Sequence, residues 1–157
     1  MQFKIEQIAI TPKNTKAAKA LLAAIGLSSW IMDTVSARGT VAGTAGEIYN
    51  AAELSFNYDA APADGKLEFE VLNYKVGPNW MAGRAQSVSH LGMHVTAEEL
   101  ELWRAKFAEH EIGVAQEVHT EAHSNPAIKD SRRYHYVIFA TRAVLGVDLK
   151  FIVRKDI

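Results

Sequence analysis

The feature that most constrains the fold is an order of predicted elements that occurs twice: a strand, a helix and three further strands. Matching landmarks in the two halves are separated by nearly the same number of residues, about 80 to 87. They are polar strand residues, capping threonines, glycines that follow helices, and charged residues in late strands: Gln7 and His90, Thr11 and Thr96, Gly26 and Gly113, Glu70 and Lys150. This spacing predicts two copies of one βαβββ unit.

The first half begins with an alternating strand and then a helix that is predicted to begin at Thr11-Pro12. Threonine suits the N-cap, and proline suits the first helical position because it has no N–H to donate there. Apolar residues at helical spacing predict the face that this helix buries: Ala17, Ala18, Leu21, Leu22 and Ile25.

Three further strands are predicted in the first half, at residues 30–35, 51–58 and 67–72. The turn signal Asp64-Gly65 introduces the last of them. Residues 77–86 contain Gly77-Pro78 and are predicted to link two modules, residues 1–76 and 87–157. At 157 residues, the two modules together match one ordinary domain.

The second half opens with SVSHLGMHV at residues 87–95. As a strand, this stretch places His90, Gly92 and His94 on one face and apolar residues on the other. Thr96 and Glu99 then form a capping box that predicts a helix over residues 97–111. Strands are predicted at 114–118, 133–141 and 145–153, with a long polar loop at 119–132.

Composition excludes several classes of protein. A formal net charge of −1 gives no electrostatic reason to expect nucleic acid or an anionic membrane as a partner. The absence of cysteine excludes thiolate metal sites and cysteine nucleophiles. Without a signal-peptide pattern or a long apolar span, the chain is expected to be cytoplasmic.

A tandem βαβββ pair whose second half opens with SHLGMHV resembles the vicinal oxygen chelate superfamily of glyoxalases, extradiol dioxygenases, epimerases and bleomycin-resistance proteins. The resemblance covers essentially the whole chain. It implies an α+β fold in which the two modules form a cupped half-barrel sheet with flanking helices. It also implies a divalent metal ion inside the cup, held by the first and last strands of each module, and a homodimer.

Carried over position by position, the resemblance places metal ligands at Gln7, Glu70 and His90. The fourth position falls on Lys150, where the family usually has glutamate, and a protonated lysine cannot donate a lone pair to a metal. Two arrangements remain open. Either Asp148, on the same strand face, supplies the fourth oxygen, or the Lys150 ammonium replaces the metal and pairs with Glu70 in a metal-free cavity.

A metal site of this kind would contain only nitrogen and oxygen donors, which suit zinc, nickel, manganese, iron or cobalt. The ion would polarise vicinal oxygens of a substrate, with Glu70 and His94 as candidate catalytic residues. Candidate substrate-binding residues are charged or aromatic and lie near the predicted cavity: Glu68, Lys150, Trp30, Arg132 and Arg133.

Each assignment has a structural alternative, because the charged strand residues suit a solvated sheet face and the two arginines suit a surface. The leading hypothesis is a small metal-dependent enzyme of the glyoxalase or dioxygenase type that acts on a small oxygenated organic molecule. The alternative is a metal-free protein that binds and sequesters a small molecule. A purely structural or interaction module is the third hypothesis.

Overall fold

The computed structural model describes residues 1–62, 65–77 and 89–157. The first half contains β1 (Gln7–Ile10), α1 (Thr15–Ala24), β2 (Ile31–Val41), β3 (Ile48–Asn57) and β4 (Glu68–Val76). The second half contains β5 (His90–His94), α2 (Ala97–Ala108), β6 (Val114–His123), β7 (Arg132–Phe139), α3 (Arg142–Leu145) and β8 (Asp148–Asp156). Most of the predicted linker at residues 77–86, and Asp64 of the predicted hairpin, lie outside the described residues.

The described strands form a closed barrel in the order β1-β4-β3-β2-β6-β7-β8-β5. In each half the first and last strands are parallel, β1 with β4 and β5 with β8. The halves join at two antiparallel seams, β1 with β5 and β2 with β6. The predicted α+β fold with two βαβββ units is confirmed, and pairing at both seams closes the cup into a barrel.

The main apolar core lies outside the barrel, between the sheet and α2. Alternation along the strands directs Val137, Phe139 and Phe151 to this outer side, where they pack with Leu100 of α2. The ring of Phe107 on α2 stacks on Phe139, with ring centroids 4.4 Å apart. The alternate residues of the same strands therefore point into the barrel interior.

α2 has the N-terminus that the sequence predicts. The Thr96 side chain accepts from the Glu99 backbone N–H, and the Glu99 side chain accepts from the Thr96 N–H. The two bonds satisfy backbone donors that have no partner within the helix. They fix the direction in which the chain leaves β5 and turns over the outer face of the sheet.

The prediction for α1 is wrong in two respects. The helix begins at Thr15, and its N-cap is Asn14, whose side chain accepts from the Ala17 backbone N–H. The Thr11 hydroxyl instead contacts the Ser89 hydroxyl at 3.0 Å, so it is used across the β1–β5 seam. The predicted buried face contains no buried residue, and Leu21 is 67% exposed.

The predicted loop at residues 119–132 is also shorter in the structure. β6 continues to His123, which pairs with Val35 of β2. The pairing partner is far away in sequence, so local polarity gave no sign of this extension. Within the described part of the chain, no helix has the length and apolar character needed to span a membrane.

Candidate functional site

Four polar side chains meet inside the barrel, where the first and last strands of the two halves lie side by side. Gln7 on β1, Glu70 on β4, His90 on β5 and Lys150 on β8 are exposed by 3, 1, 1 and 6%. Gly92 makes room for them, because a Cβ there would lie 3.0 Å from the Gln7 side chain. The structure thus brings together the residues that the sequence singles out.

The Glu70 carboxylate lies at the centre of this group. Its Oε2 lies 3.5 Å from His90 Nε2 and 4.0 Å from Lys150 Nζ. This Oε2 atom is buried and makes no hydrogen bond. The Lys150 ammonium also lies 4.1 Å from the ring centroid of Tyr136, which partly compensates its burial.

A chain of hydrogen bonds fixes the orientation of Gln7. The Tyr58 hydroxyl donates to Glu68 Oε2 at 2.6 Å, and Gln7 Nε2 donates to the other oxygen of Glu68. Gln7 Oε1 therefore points to His90 Nε2, 3.0 Å away. Because an amide oxygen only accepts, this contact requires the hydrogen of His90 to be on Nε2.

The electrostatics of the site keep Glu70 ionised. Burial alone would raise the pKa of the Glu70 carboxyl, but the charge of Lys150 and the neighbouring His90 imidazole hold this pKa below its usual value. Burial, reinforced by the charge of Glu70, raises the pKa of Tyr136. The site therefore presents a carboxylate and a neutral phenol at neutral pH.

Two cavities meet at this group and share Leu54, Glu70, Tyr136 and Lys150. The smaller, of about 40 Å³, is lined by aliphatic residues that include Val35, Leu72 and Ile138, and also by the polar residues Asn50 and Gln116. The larger, of about 210 Å³, has a polar lining that includes Asp33, Tyr58, Glu68, His123 and Arg132. A molecule bound at Glu70 would thus meet a polar side and an apolar side.

Two predicted residues lie at the mouth of the larger cavity. His94 lines it, and the imidazole Nδ1 lies 3.0 Å from Glu6 Oε2. Arg132 lines the same cavity. Both positions allow contact with a ligand that enters the barrel from this end.

Three other predicted residues are engaged elsewhere. Asp148 accepts from the backbone N–H and Nε of Arg142 at 2.9 and 3.2 Å. Trp30 lies beneath the Lys19 ammonium, which is 5.3 Å from the ring centroid. Arg133 donates to the carbonyl oxygens of Lys129 and Arg132. None of the three lines the two described cavities of the barrel.

Sequence reasoning missed a second buried polar group, formed by the carboxylate of Asp33 on β2 and the imidazole of His123 on β6. Asp33 Oδ2 lies 2.6 Å from His123 Nδ1, and His123 Nε2 lies 3.0 Å from the Thr120 hydroxyl. Asp33 Oδ1 accepts from the backbone N–H groups of Ser124 and Asn125. No local signal could have found this pair, because it forms across the β2–β6 seam.

These partners determine the charge of Asp33. Burial would raise the pKa of its carboxyl, but the His123 hydrogen bond and the two backbone N–H groups together lower this pKa. Asp33 and His123 line the same cavity as Glu70. Unlike Glu70 Oε2, however, Asp33 and His123 direct their hydrogen bonds to each other and to neighbouring groups of the protein.

A third group lies on the outside of the barrel. Among the described residues, one set of three His, Asp or Glu side chains converges closely enough to hold a metal ion: Glu117, His119 and His135. His119 and His135 are paired residues of β6 and β7. This set is separate from the ligands that the family resemblance implies.

No protein-family model and no curated protein sequence matches the chain. A solved structure that does match is that of a variant of Streptomyces coelicolor methylmalonyl-CoA epimerase in complex with 2-nitronate-propionyl-CoA. The match covers 96% of this chain and 93% of that chain, with 12% identity and a TM-score of 0.46. At this identity and TM-score, it assigns no family, substrate or reaction to this chain.

Proposed function

We propose that the barrel binds a small oxygenated organic molecule without a metal ion, with Glu70 as hydrogen-bond acceptor and Lys150 as donor. One observation carries this proposal: Glu70 Oε2 is buried without a hydrogen bond, beside an ammonium group, where two cavities meet. A buried polar group without a partner costs about 1–3 kcal/mol, and more when it is charged. A ligand hydroxyl that donates to Glu70 recovers this energy.

The position of Lys150 favours a metal-free site over the implied metal site. Its ammonium, 4.0 Å from Glu70 Oε2, already supplies the positive charge that balances this carboxylate. A divalent ion bound by Glu70 would place further positive charge beside Lys150, at a repulsion that is strong in a buried site. Asp148, the alternative fourth ligand, is held by Arg142.

A metal-dependent enzyme is the second candidate, and the arrangement of Gln7 supports it. Glu68 holds the Gln7 amide so that its oxygen points to His90, 3.0 Å away, and Glu70 lies 3.5 Å from the same imidazole nitrogen. Ligands oriented by outer hydrogen bonds are typical of metal sites. This function requires His90 Nε2 to lose its hydrogen and Lys150 to move away.

The pKa of Glu70 favours binding over proton abstraction. An efficient general base has a pKa near the working pH, whereas the pKa of this carboxyl is held below its usual value. A carboxylate of this kind accepts a hydrogen bond well and takes up a proton poorly. The catalytic roles of Glu70 and His94, and the homodimer, stay predictions.

The lining of the two cavities indicates what the ligand contains. One hydroxyl would donate to Glu70 and a neighbouring oxygen would accept from Lys150, since the two side chains are adjacent. Apolar atoms of the ligand would extend along the aliphatic residues of the smaller cavity. Small molecules with vicinal oxygens on an apolar frame, such as catechol, have this arrangement.

The first experiment tests whether the barrel takes a metal. It uses the chain with His119→Ala, so that the outer set of histidines does not contribute, and adds Lys150→Glu in a second protein. After equilibration with manganese, nickel or zinc and dialysis, the first protein should retain less than about a tenth of an equivalent, and the second about one equivalent. One equivalent in the first protein that Glu70→Gln removes would establish the metal site instead.

The second experiment tests ligand binding with catechol and lactate as probes, followed by NMR signals of the buried His90. At least one probe should shift these signals, and Glu70→Gln should weaken its binding about tenfold or more, because a hydrogen bond to a charged group contributes about 1.5–3 kcal/mol. Glu53→Gln is the matched control, since Glu53 already pairs with Lys75 at 3.2 Å and its side chain is 43% exposed. Equal binding by wild type and Glu70→Gln would contradict the proposal.

A further inference from the structure

We propose that Glu117, His119 and His135 form a separate site for one zinc ion, or a divalent transition metal of similar preference, on the outer face of the barrel. Glu117 and His119 are two residues apart on β6, and His135 on β7 lies directly opposite His119. The intervening residue Val118 lines the interior cavity. The three side chains therefore lie on the other side of the sheet from Glu70.

The three side chains are close together. His135 Nε2 lies 2.7 Å from Glu117 Oε1, and the rings of His119 and His135 stack with centroids 4.0 Å apart and 14° between their planes. One possible ligand atom from each residue lies within 4.8 Å of the others. Tetrahedral zinc separates its ligands by about 3.4 Å, so the ligand atoms must approach by about 1 Å. The stacked rings must also turn about their side-chain bonds, so that both nitrogen lone pairs point to the ion.

The donor set fits a borderline metal rather than calcium or magnesium. Two imidazole nitrogens and one carboxylate oxygen form a combination known from zinc sites that keep a fourth position open to water. His119 is exposed, whereas Glu117 and His135 are partly buried, so an ion has access from solvent. With an ion bound, the site would hold a water ligand at the protein surface. This site is separate from the interior cavities.

Arg104 on α2 is the main competitor for the carboxylate. Its Nη2 donates to Glu117 Oε1 at 2.5 Å, while its Nε donates to Glu101 Oε1 at 3.0 Å. When Glu117 turns to an ion, Arg104 keeps its bond to Glu101. Arg104 therefore limits the affinity of the site without blocking it, and its removal should tighten binding.

The experiment is a calorimetric titration of the full chain with zinc chloride at pH 7.5, after treatment with a chelator and its removal. Wild type should bind one zinc ion at the outer site. His119→Ala should bind at least about tenfold more weakly, since one of three protein ligands is lost. Arg104→Ala should bind several-fold more tightly. His110→Ala is the control, because His110 is exposed on the chain segment that follows α2, and this variant should match wild type.

Two results would overturn the proposal. One is the absence of zinc binding by wild type at about 100 μM free zinc, a concentration at which surface histidine sites are expected to fill. The other is binding that His119→Ala leaves unchanged and Glu70→Gln abolishes, which would place the ion in the barrel. His119 is exposed, so its substitution should preserve the fold, and an unchanged thermal melting curve of His119→Ala checks this.

Discussion

Among the described residues of the barrel, two buried carboxylates lie beside basic side chains, and their surroundings differ. Around Asp33 and His123, each carboxylate oxygen accepts a hydrogen bond, and the second imidazole nitrogen contacts Thr120. Around Glu70 and Lys150, the facing groups are 4.0 Å apart and one carboxylate oxygen makes no hydrogen bond. Both pairs line the same cavity.

The difference separates a group that stabilises the fold from a group that is available to a ligand. A buried network in which every polar group is hydrogen-bonded is rigid. In a network that lacks some of these bonds, the free energy spent on removing the polar groups from water is only partly recovered. Asp33 and His123 join β2 to the end of β6 at one seam of the barrel. Glu70 and Lys150 leave their remaining hydrogen-bonding capacity directed at the cavity.

The largest effect is expected from Asp33→Ala. It leaves His123 and the backbone N–H groups of Ser124 and Asn125 without their acceptor, so the free energy of unfolding should fall by about 3–5 kcal/mol. Urea denaturation measures this change. Asp130→Ala, at a carboxylate that is 85% exposed, should change it by less than about 0.5 kcal/mol. A loss below about 1 kcal/mol for Asp33→Ala would remove the distinction between the two pairs.

An effect of opposite sign is expected when both members of the other pair are replaced. The double variant Glu70→Leu with Lys150→Met removes two buried charges and leaves no new unpaired group, so the free energy of unfolding should stay unchanged or rise by about 1–4 kcal/mol. The corresponding double variant Asp33→Leu with His123→Leu should still be destabilised, because the two backbone N–H groups lose their acceptor. Similar losses in both double variants would contradict the comparison.

A smaller effect concerns pH. The pKa values of Asp33 and Glu70 are both lowered in the folded protein, so as pH falls below about 4 the unfolded chain takes up protons first. Their stabilisation is present above the unfolded pKa values and is lost as pH falls through the folded ones. Between pH 7 and pH 3, the melting temperature should fall less for Glu70→Gln than for wild type. A fall as large as that of the control Glu53→Gln would show that the pKa of Glu70 is not lowered in the folded protein.

The smallest effect is expected from Tyr58→Phe. The Tyr58 hydroxyl donates to Glu68, and burial together with this hydrogen bond raises the pKa of the phenol. Its loss should lower the free energy of unfolding by about 1 kcal/mol. The Gln7–Glu68 hydrogen bond remains, so NMR should still find the His90 hydrogen on Nε2. A change to the other ring nitrogen would show that Tyr58 is needed to orient Gln7.

The strands and their order in each half could be predicted from the sequence because side-chain alternation and the repeat are visible locally. The meeting of Gln7, Glu70 and His90 was predicted from the family resemblance, which places these residues on the first and last strands around one cavity. For Lys150, the sequence left two arrangements open, and the structure has its ammonium beside Glu70 with Asp148 bonded to Arg142. The choice depended on Arg142, which sequence reasoning had not considered.

The misses have one physical cause, which is competition from partners far away in the sequence. Thr11 has the right chemistry for an N-cap but is used by Ser89 across a seam. His123 looks like a loop residue until β2 supplies Asp33. The apolar spacing of α1 predicts a buried face, yet none of its residues is fully buried, because the main core forms beneath α2.

Closure at both seams has a consequence for fragments of the chain. Separated from its counterpart, the first half would expose the hydrogen-bonding edges of β1 and β2, and the second half those of β5 and β6. Unpaired edges recruit other strands. A gene split between the halves should therefore yield two insoluble or self-associating pieces that recover solubility when they are produced together, which makes the barrel a natural reporter for bringing two fused partners into proximity.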